Sequence, residues 1–145
     1  GKSLFYSTNF SIGVNIFFEL NRKLAETMNR FPAYDPEMVE IHHKEKLDAP
    51  SGTAITLSEG LIDQLDRKNS WIEGEAFKEE ELSIVSLRKP DVPGTHEIIY
   101  SSSVDEISIK HEAKNRMGFA TGAVLAAEWL LGEIGVFTMR DLLKT

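Results

Sequence analysis

Residues 40–54, which read EIHHKEKLDAPSGTA, carry the side-chain types of an anion-binding active site. An ordinary imidazole titrates near about pH 6.5, so histidines can give or take a proton close to neutrality, and His42 and His43 supply two of them. Lys46 can add positive charge or donate a proton. We expect the bound species to be anionic, because two lysines and two histidines lie together here in a chain whose net charge is −7.

A helix is expected to begin directly after the turn at Pro50 and Ser51. Pro50 disfavours helical geometry at Ala49, and Ser51 is a favourable N-cap. Apolar residues then recur near helical spacing, at Ala54, Leu57, Leu61 and Leu65. The first N–H groups of a helix lack intrahelical partners and carry the positive end of its dipole. Gly52 and Thr53 are therefore predicted to bind a carboxylate or phosphate, with the Thr53 hydroxyl as an additional donor.

The residues before the histidines predict a short strand. Met38, Val39 and Ile41 favour extended structure, and the strand would end at His42 and His43. Successive side chains of a strand point to opposite faces, so one ring would face the ligand and the other a neighbouring wall. A histidine pair alone is more often a packing or surface feature, and Ser-Gly-Thr alone is only an N-cap. The segment lacks a Walker pattern and a complete metal-ligand set, so we predict no metal.

The run from His42 to Lys46, followed by Asp48 to Ala54, closely resembles the signature of dihydrodipicolinate reductase, the nicotinamide-dependent reductase of the diaminopimelate and lysine pathway. Three further stretches resemble the same family in the same order: residues 9–15 (NFSIGVN), Arg88 through Gly94 to His96, and residues 115–120. At positions 44 and 45, Lys and Glu stand where the family often has Arg and His. The resemblance covers nearly the whole chain.

The resemblance implies an enzyme that converts hydroxytetrahydrodipicolinate to tetrahydrodipicolinate with NADPH or NADH. Residues 1–145 resemble only the C-terminal substrate-binding domain, with residues 1–12 as the hinge from an N-terminal dinucleotide-binding domain. The chain has no initiator methionine and no Gly-x-Gly-x-x-Gly motif, so we expect it to begin within a longer protein. The family also forms homotetramers by packing the sheets of this domain together, which implies a homotetramer here.

The resemblance also assigns roles to individual residues. It implies that His42 is the general acid/base, that Lys46 binds the substrate and donates a proton, and that His43 binds the substrate as well. Gly52 and Thr53 would hold one carboxylate. Arg116 would add a second cation to the substrate pocket, or form a salt bridge with the acidic surface.

The family's contacts to the nicotinamide end of the cofactor fall on Ser7, Thr8, Asn9 and Phe10. Phe10 would lie against the nicotinamide ring, and it can also serve as a hydrophobic staple for the next helix. His96 and His111 occur singly in predicted strands, where histidines are more often structural or interfacial than catalytic.

The remaining elements predict an α+β fold, with an open mixed sheet of about four strands covered by helices on one face. A helix is expected from Ser11 to about Arg30, the helix after Ser51 is expected to end near Asp66, and strands are expected over residues 82–88, 95–102 and 104–112. Residues 67–81 are expected to form a mobile or partner-contacting loop. A last long helix should start near residues 118–121, end at Gly135, and bury Ala123, Val124, Ala127, Leu130, Leu131 and Ile134. A capping box is expected over residues 138–141.

Composition limits the function classes. A chain of 145 residues with 41% hydrophobic and 27% charged residues can form one domain with a substantial core. The acidic pI near 5.1 argues against nucleic acid, and no apolar run approaches the roughly 20 residues that span a membrane. With no cysteine, a cytoplasmic location is predicted. The alternative to the reductase is a stand-alone dicarboxylate-binding or assembly module, which a native gene ending upstream of Lys2 would favour; a metal-binding protein is more remote.

Overall fold

The computed structural model describes residues 1–144, which contain seven strands and four helices. The elements follow in the order β1 (Ser3–Phe5), α1 (Ile12–Met28), β2 (Asp35–His42), α2 (Gly52–Ile62), β3 (Ser70–Glu73), β4 (Glu81–Arg88), β5 (Gly94–Ser101), β6 (Glu106–Ala113), α3 (Met117–Trp129), β7 (Gly135–Phe137) and α4 (Met139–Leu143).

Five strands form a mixed sheet in the order β3-β4-β2-β5-β6. Strands β2, β3 and β4 run parallel, whereas β5 and β6 continue the sheet in antiparallel pairs. Along β2, the even-numbered side chains are buried and the odd-numbered ones are more exposed, as the alternation of a strand requires. Met38, Ile84 and Ile98 are aligned across the centre of the sheet and contribute its buried face.

Helices α1 and α2 cover that one face. Ser11 caps α1 by accepting a hydrogen bond from the Val14 N–H, and the buried residues of α1 pack with Leu57 and Leu61 of α2. These contacts, together with the sheet order, confirm the predicted α+β class with an open mixed sheet. Helices α1 and α2 end at Met28 and Ile62, each a few residues before the predicted ends, because single hydrogen-bonded turns continue the chain there.

The expectation of a loop over residues 67–81 is wrong at residues 70–73. There β3 pairs in parallel with β4 and adds a fifth strand, and Trp71 packs against the core. The charge pattern is misleading because Lys68 is only 4% exposed. Its ammonium group lies 2.8 Å from a carboxylate oxygen of Asp35 and donates to the backbone carbonyl of Glu79 at 2.7 Å, which anchors the segment.

The predicted end and buried stripe of the last long helix are also wrong. Helix α3 ends at Trp129, and Gly135 instead opens β7, which pairs in parallel with β1 in a separate two-stranded sheet. The predicted stripe is largely exposed, with Val124 at 57% and Leu131 at 81%. Small residues make the contact instead: a Cβ placed on Gly122 would lie 1.7 Å from the carbonyl oxygen of Phe10.

The other predicted elements are present. The three predicted strands correspond to β4, β5 and β6, and the expected capping box starts α4, where the Thr138 N–H donates to the Asp141 carboxylate at 2.6 Å. His111 packs beside Phe17 with ring centroids 6.0 Å apart. Across residues 1–144, none of the helices combines the length and apolar character needed to cross a membrane.

Candidate active site

The predicted site residues converge on a cavity of about 330 Å³ between the end of β2 and the start of α2. Seven of them line it: Thr8, Asn9, His42, His43, Lys46, Gly52 and Thr53. Ser51, Thr56, Pro93 and Phe119 complete the wall. The sequence segment 42–53 therefore folds back on itself, so that strand end and helix start face a common space.

The start of α2 supplies hydrogen-bond donors to this cavity. Ser51 has extended backbone geometry, and its hydroxyl oxygen accepts from the Ala54 N–H at 3.1 Å. The N–H groups of Gly52 and Thr53 precede the first intrahelical bond and remain directed out of the helix. A Cβ placed on Gly52 would meet no atom within 4 Å, so an anion can approach the backbone there. Asn9 donates to the Thr53 hydroxyl at 3.3 Å and links the first segment of the chain to the helix start.

His42 is buried, with 7% of its surface exposed. Its ring centroid lies 5.0 Å from that of His96. Burial, followed by the charge of His96, lowers the pKa of His42 to about 4 even though Glu40 opposes the change. The ring is therefore neutral at neutral pH and is suited to accept a proton or share a hydrogen bond before any ligand is bound.

His43 follows directly after β2 and borders the same cavity as His42, whereas one of the two rings was expected to face a neighbouring wall. Arg116 lies 3.2 Å from Nε2 of His43, and a carboxylate oxygen of Glu45 lies 3.1 Å from Nδ1. A guanidinium group can only donate, so Nε2 accepts and Nδ1 donates to Glu45. Arg116 lines an adjoining cleft of about 510 Å³, which His43 also borders, and it does not line the cavity at α2.

Lys46 lines the cavity and is paired with a neighbour in its own loop. Its Nζ lies 2.8 Å from a carboxylate oxygen of Asp48, and the hydrogen bond from Lys46 lowers the pKa of Asp48. Arg88 fixes this loop by donating to the backbone carbonyls of Asp48 at 2.7 Å and Lys46 at 3.4 Å. The Asp48 carboxylate therefore holds the ammonium group at the cavity edge, and a bound carboxylate can replace Asp48 as its partner.

Glu40 is a functional candidate that the sequence reasoning missed. Its side chain is 0% exposed, and its carboxylate accepts from the Ser51 N–H at 3.1 Å and the Ser86 hydroxyl at 2.9 Å. Burial raises the pKa of Glu40, but hydrogen bonds involving His96, Ser51 and Ser86 outweigh it and lower the pKa to about 2. A signal was available, because Glu40 shares the inward face of β2 with His42 at a spacing of two residues.

Glu40, His42 and His96 also form a cluster in which possible metal-ligating atoms lie within 4.8 Å of one another. Two imidazoles and a carboxylate are ligands that zinc accepts. The Glu40 oxygens, however, already accept hydrogen bonds from Ser51 and Ser86, and Nε2 of His96 lies 3.2 Å from the Ser51 hydroxyl. We therefore interpret the cluster as a hydrogen-bonding group, and the absence of a metal stays a prediction.

The four residues predicted to contact a cofactor separate into two pairs. Thr8 and Asn9 line the cavity, whereas the Ser7 hydroxyl donates to the Asn9 carbonyl at 2.7 Å and Phe10 does not border the cavity. The Phe10 ring instead lies 5.9 Å from the Phe5 ring of β1. The cofactor roles of these residues stay predictions.

Comparison with known proteins identifies the family. The family described as "Dihydrodipicolinate reductase, C-terminus" matches residues 13–143, which include the site segment at residues 42–53. The chain belongs to this family. The resemblance noted in the sequence is therefore confirmed, and residues 13–143 correspond to the family's C-terminal part.

Named relatives agree with that membership. The chain is 50% identical over 143 residues to a 4-hydroxy-tetrahydrodipicolinate reductase of Christiangramia forsetii, covering 99% of this chain and 59% of the relative. It is 43% identical over 141 residues to the protein of the same name from Aquifex aeolicus, covering 94% of this chain and 53% of the relative. The chain thus spans little more than half the length of these relatives.

A solved structure supports the fold. Dihydrodipicolinate reductase from Paenisporosarcina sp. TG-14, in a structure described as dipicolinate-bound, aligns with a TM-score of 0.68 at 24% sequence identity. The alignment covers 94% of this chain and 53% of the solved chain. At this identity the likeness extends to the α+β architecture alone.

Proposed function

We propose that this chain is the substrate-binding part of a cytoplasmic 4-hydroxy-tetrahydrodipicolinate reductase, which reduces a cyclic dicarboxylate with NADPH or NADH in diaminopimelate and lysine biosynthesis. The observation that carries the proposal is the single cavity in which the start of α2 faces His42, His43 and Lys46. Family membership and the names of the relatives support the same activity.

The cavity offers separate groups for the two ends of a dicarboxylate. The N–H groups of Gly52 and Thr53 would bind one carboxylate, assisted by the helix dipole. Lys46 would leave Asp48 to bind the anionic side of the ligand, together with His43. Arg116 acts through its contact with His43 and adds positive charge from the adjoining cleft.

The cofactor site would border the same cavity. A bound nicotinamide supplies the hydride. Thr8 and Asn9 fit this arrangement because they reach the cavity edge beside Thr53. Phe10, which packs toward Phe5, fits as a support for this segment in the present conformation. His42 would accept or return a proton beside the carbon that receives hydride, and Lys46 would supply a proton to the substrate.

We propose further that residues 1–145 form a domain with residues 1–12 as the hinge from a dinucleotide-binding domain, and that four copies associate through their sheets. The support is the face of the sheet opposite α1 and α2. By strand alternation this face carries several apolar side chains: Val39, Ile41, Val85, Leu87 and Ile99. Leu87 is 39% exposed, so this face still has apolar surface to bury.

Titration calorimetry of the purified chain with pyridine-2,6-dicarboxylate tests the binding site. We expect a dissociation constant on the order of millimolar, about −4 kcal/mol, because the closure that excludes water is missing. Lys46→Ala should weaken binding beyond detection, since a charge-assisted hydrogen bond contributes about 1.5–3 kcal/mol. The matched control is Lys44→Ala, which removes an exposed lysine two positions away and should retain affinity.

His42→Ala separates binding from proton transfer. Affinity of the chain should stay within a few-fold, whereas turnover of the full-length protein should fall by roughly 10²–10⁴. Equal losses of affinity in the Lys46 and His42 variants would contradict their separate roles. Unchanged affinity in both variants would mean that the segment is only an N-cap with two ordinary histidines. If the full-length protein binds the ligand but shows no turnover, the stand-alone binding module is favoured.

A further inference from the structure

A buried carboxylate lies beneath the cavity and contacts residues that hold both the start of α2 and the loop of Lys46. Glu40 accepts from the Ser51 N–H at the start of α2 and from the Ser86 hydroxyl of β4. Its Oε1 also lies 3.6 Å from Nη1 of Arg88, the residue that holds the carbonyls of the loop at residues 46–48. One enclosed anion thus connects the anion-binding helix start with the loop that carries the cavity lysine.

The same carboxylate faces the enclosed side of His42. Nδ1 of His42 is buried and lacks a hydrogen-bond partner among residues 1–144, and Oε2 of Glu40 lies 3.4 Å from it. A proton on Nδ1 is attracted by this oxygen, whereas a lone pair on Nδ1 is repelled by it. The field of Glu40 therefore favours the tautomer with the proton on Nδ1, and such a long contact can tighten into a hydrogen bond when a ligand binds.

The other ring nitrogen, Nε2, is the one left for a group bound in the cavity. Nε2 is close to Gly94, since a Cβ placed on that glycine would lie 3.2 Å from the nitrogen, and the ring borders the cavity beside Pro93. With the proton on Nδ1, Nε2 keeps its lone pair and can accept a proton from a bound group. With the proton on Nε2, the neutral ring has no acceptor on this edge.

We propose that Glu40 is a positioning residue of the site: it fixes the proton of His42 on Nδ1, so that Nε2 is the proton-accepting atom, and it holds the start of α2 through Ser51. The part concerning turnover rests on the proposed function. The part concerning the His42 tautomer rests only on the contacts of Glu40 and is measurable without activity.

The tautomer is tested by nitrogen NMR of the chain with ¹⁵N-labelled histidine, in which protonated and unprotonated ring nitrogens have distinct shifts. The His42 signals are assigned by their loss in His42→Asn. We expect a protonated Nδ1 and an unprotonated Nε2 for His42 at pH 7. A proton on Nε2 in the unsubstituted chain would overturn the proposal, whether or not the chain binds a dicarboxylate.

Glu40→Gln tests the cause. The amide oxygen can keep the hydrogen bonds from Ser51 and Ser86, while the amide N–H₂ now faces Nδ1 of His42 and favours its lone pair. We expect the His42 proton to move to Nε2. In the full-length protein, kcat should fall by at least about tenfold, while the dissociation constant for pyridine-2,6-dicarboxylate stays within about threefold.

The matched control is Glu37→Gln, an exposed glutamate on the same strand, which should change neither the His42 tautomer nor kcat. An unchanged tautomer in a folded Glu40→Gln chain would overturn the proposal, as would equal losses in kcat and in ligand affinity. If Glu40→Gln does not fold, the spectrum of the unsubstituted chain still decides the tautomer. Failure of the unsubstituted chain to bind pyridine-2,6-dicarboxylate would contradict the proposed function and leave the tautomer proposal untouched.

Discussion

The buried neutral state of His42 predicts a loss of stability as the pH falls. The pKa of His42 is lowered from an ordinary value of 6.5 to about 4 in the folded chain. Between these values the unfolded chain binds the proton and the folded chain does not. Stability is therefore fully present above about pH 6.5 and is lost as the pH falls toward 4.

The expected size follows from the two pKa values of His42. Each pKa unit corresponds to about 1.4 kcal/mol, so the interval from 6.5 to about 4 corresponds to about 3 kcal/mol of unfolding free energy. Other groups act near this window. Burial also lowers the pKa of His111, so His111 adds a further loss of stability as the pH falls. The pKa of Glu40 is lowered to about 2, so the stability that Glu40 contributes is lost only below its ordinary pKa of 4.5.

Urea unfolding of the chain and of His42→Asn between pH 8 and pH 4 isolates the contribution. The asparagine does not titrate, and its amide can donate toward Glu40. We expect the variant to lose about 3 kcal/mol less than the unsubstituted chain over this range, with parallel curves above pH 7 as an internal control. Curves that stay parallel down to pH 4 would refute the reasoning, because His42 would then titrate equally in both states.

Three further outcomes are expected. The chain alone should sediment as a tetramer, because the uncovered face of its sheet carries apolar side chains; a monomer at micromolar concentration would refute this. The chain alone should show no reductase turnover with NADPH or NADH, as measured by nicotinamide absorbance, and turnover by the pure chain would refute it. Gly122→Ala should lower the melting temperature, because its Cβ would lie 1.7 Å from the Phe10 carbonyl oxygen, whereas Gly118→Ala, whose Cβ would meet its nearest atom at 3.6 Å, should not.

The parts of the site that are close in sequence were predictable. The strand ending at His42 and the helix starting at Gly52 depend on local signals, namely alternation, a proline and an N-cap serine. Nine residues separate these two elements, which limits the distance between them to about 30 Å, and the turn residues Pro50 and Ser51 favour a shorter one. The capping box at α4 was predictable for the same reason.

The contacts that complete the site were not predictable from local pattern. Glu40 meets Ser86 and His96 because β4 and β5 flank β2 in the sheet, and the order of strands is set by the whole fold. Similarly, the apolar spacing in α3 correctly indicated a helix but carried no information about what covers it. Gly122 and Ala126 are its buried residues, and larger apolar side chains such as Val124 face outward.

The neutral ring of His42 and its proposed role as an acid/base are compatible once the charge of the ligand is included. In the ligand-free chain, burial and the charges of His96, Lys46 and Arg88 all lower the pKa of His42. A bound dicarboxylate neutralises Lys46 and adds negative charge beside the ring, which opposes these causes. Lys46, which is proposed to bind the dicarboxylate, thus helps to keep His42 unprotonated in the ligand-free chain, and a bound dicarboxylate would restore the ability of the ring to hold a proton.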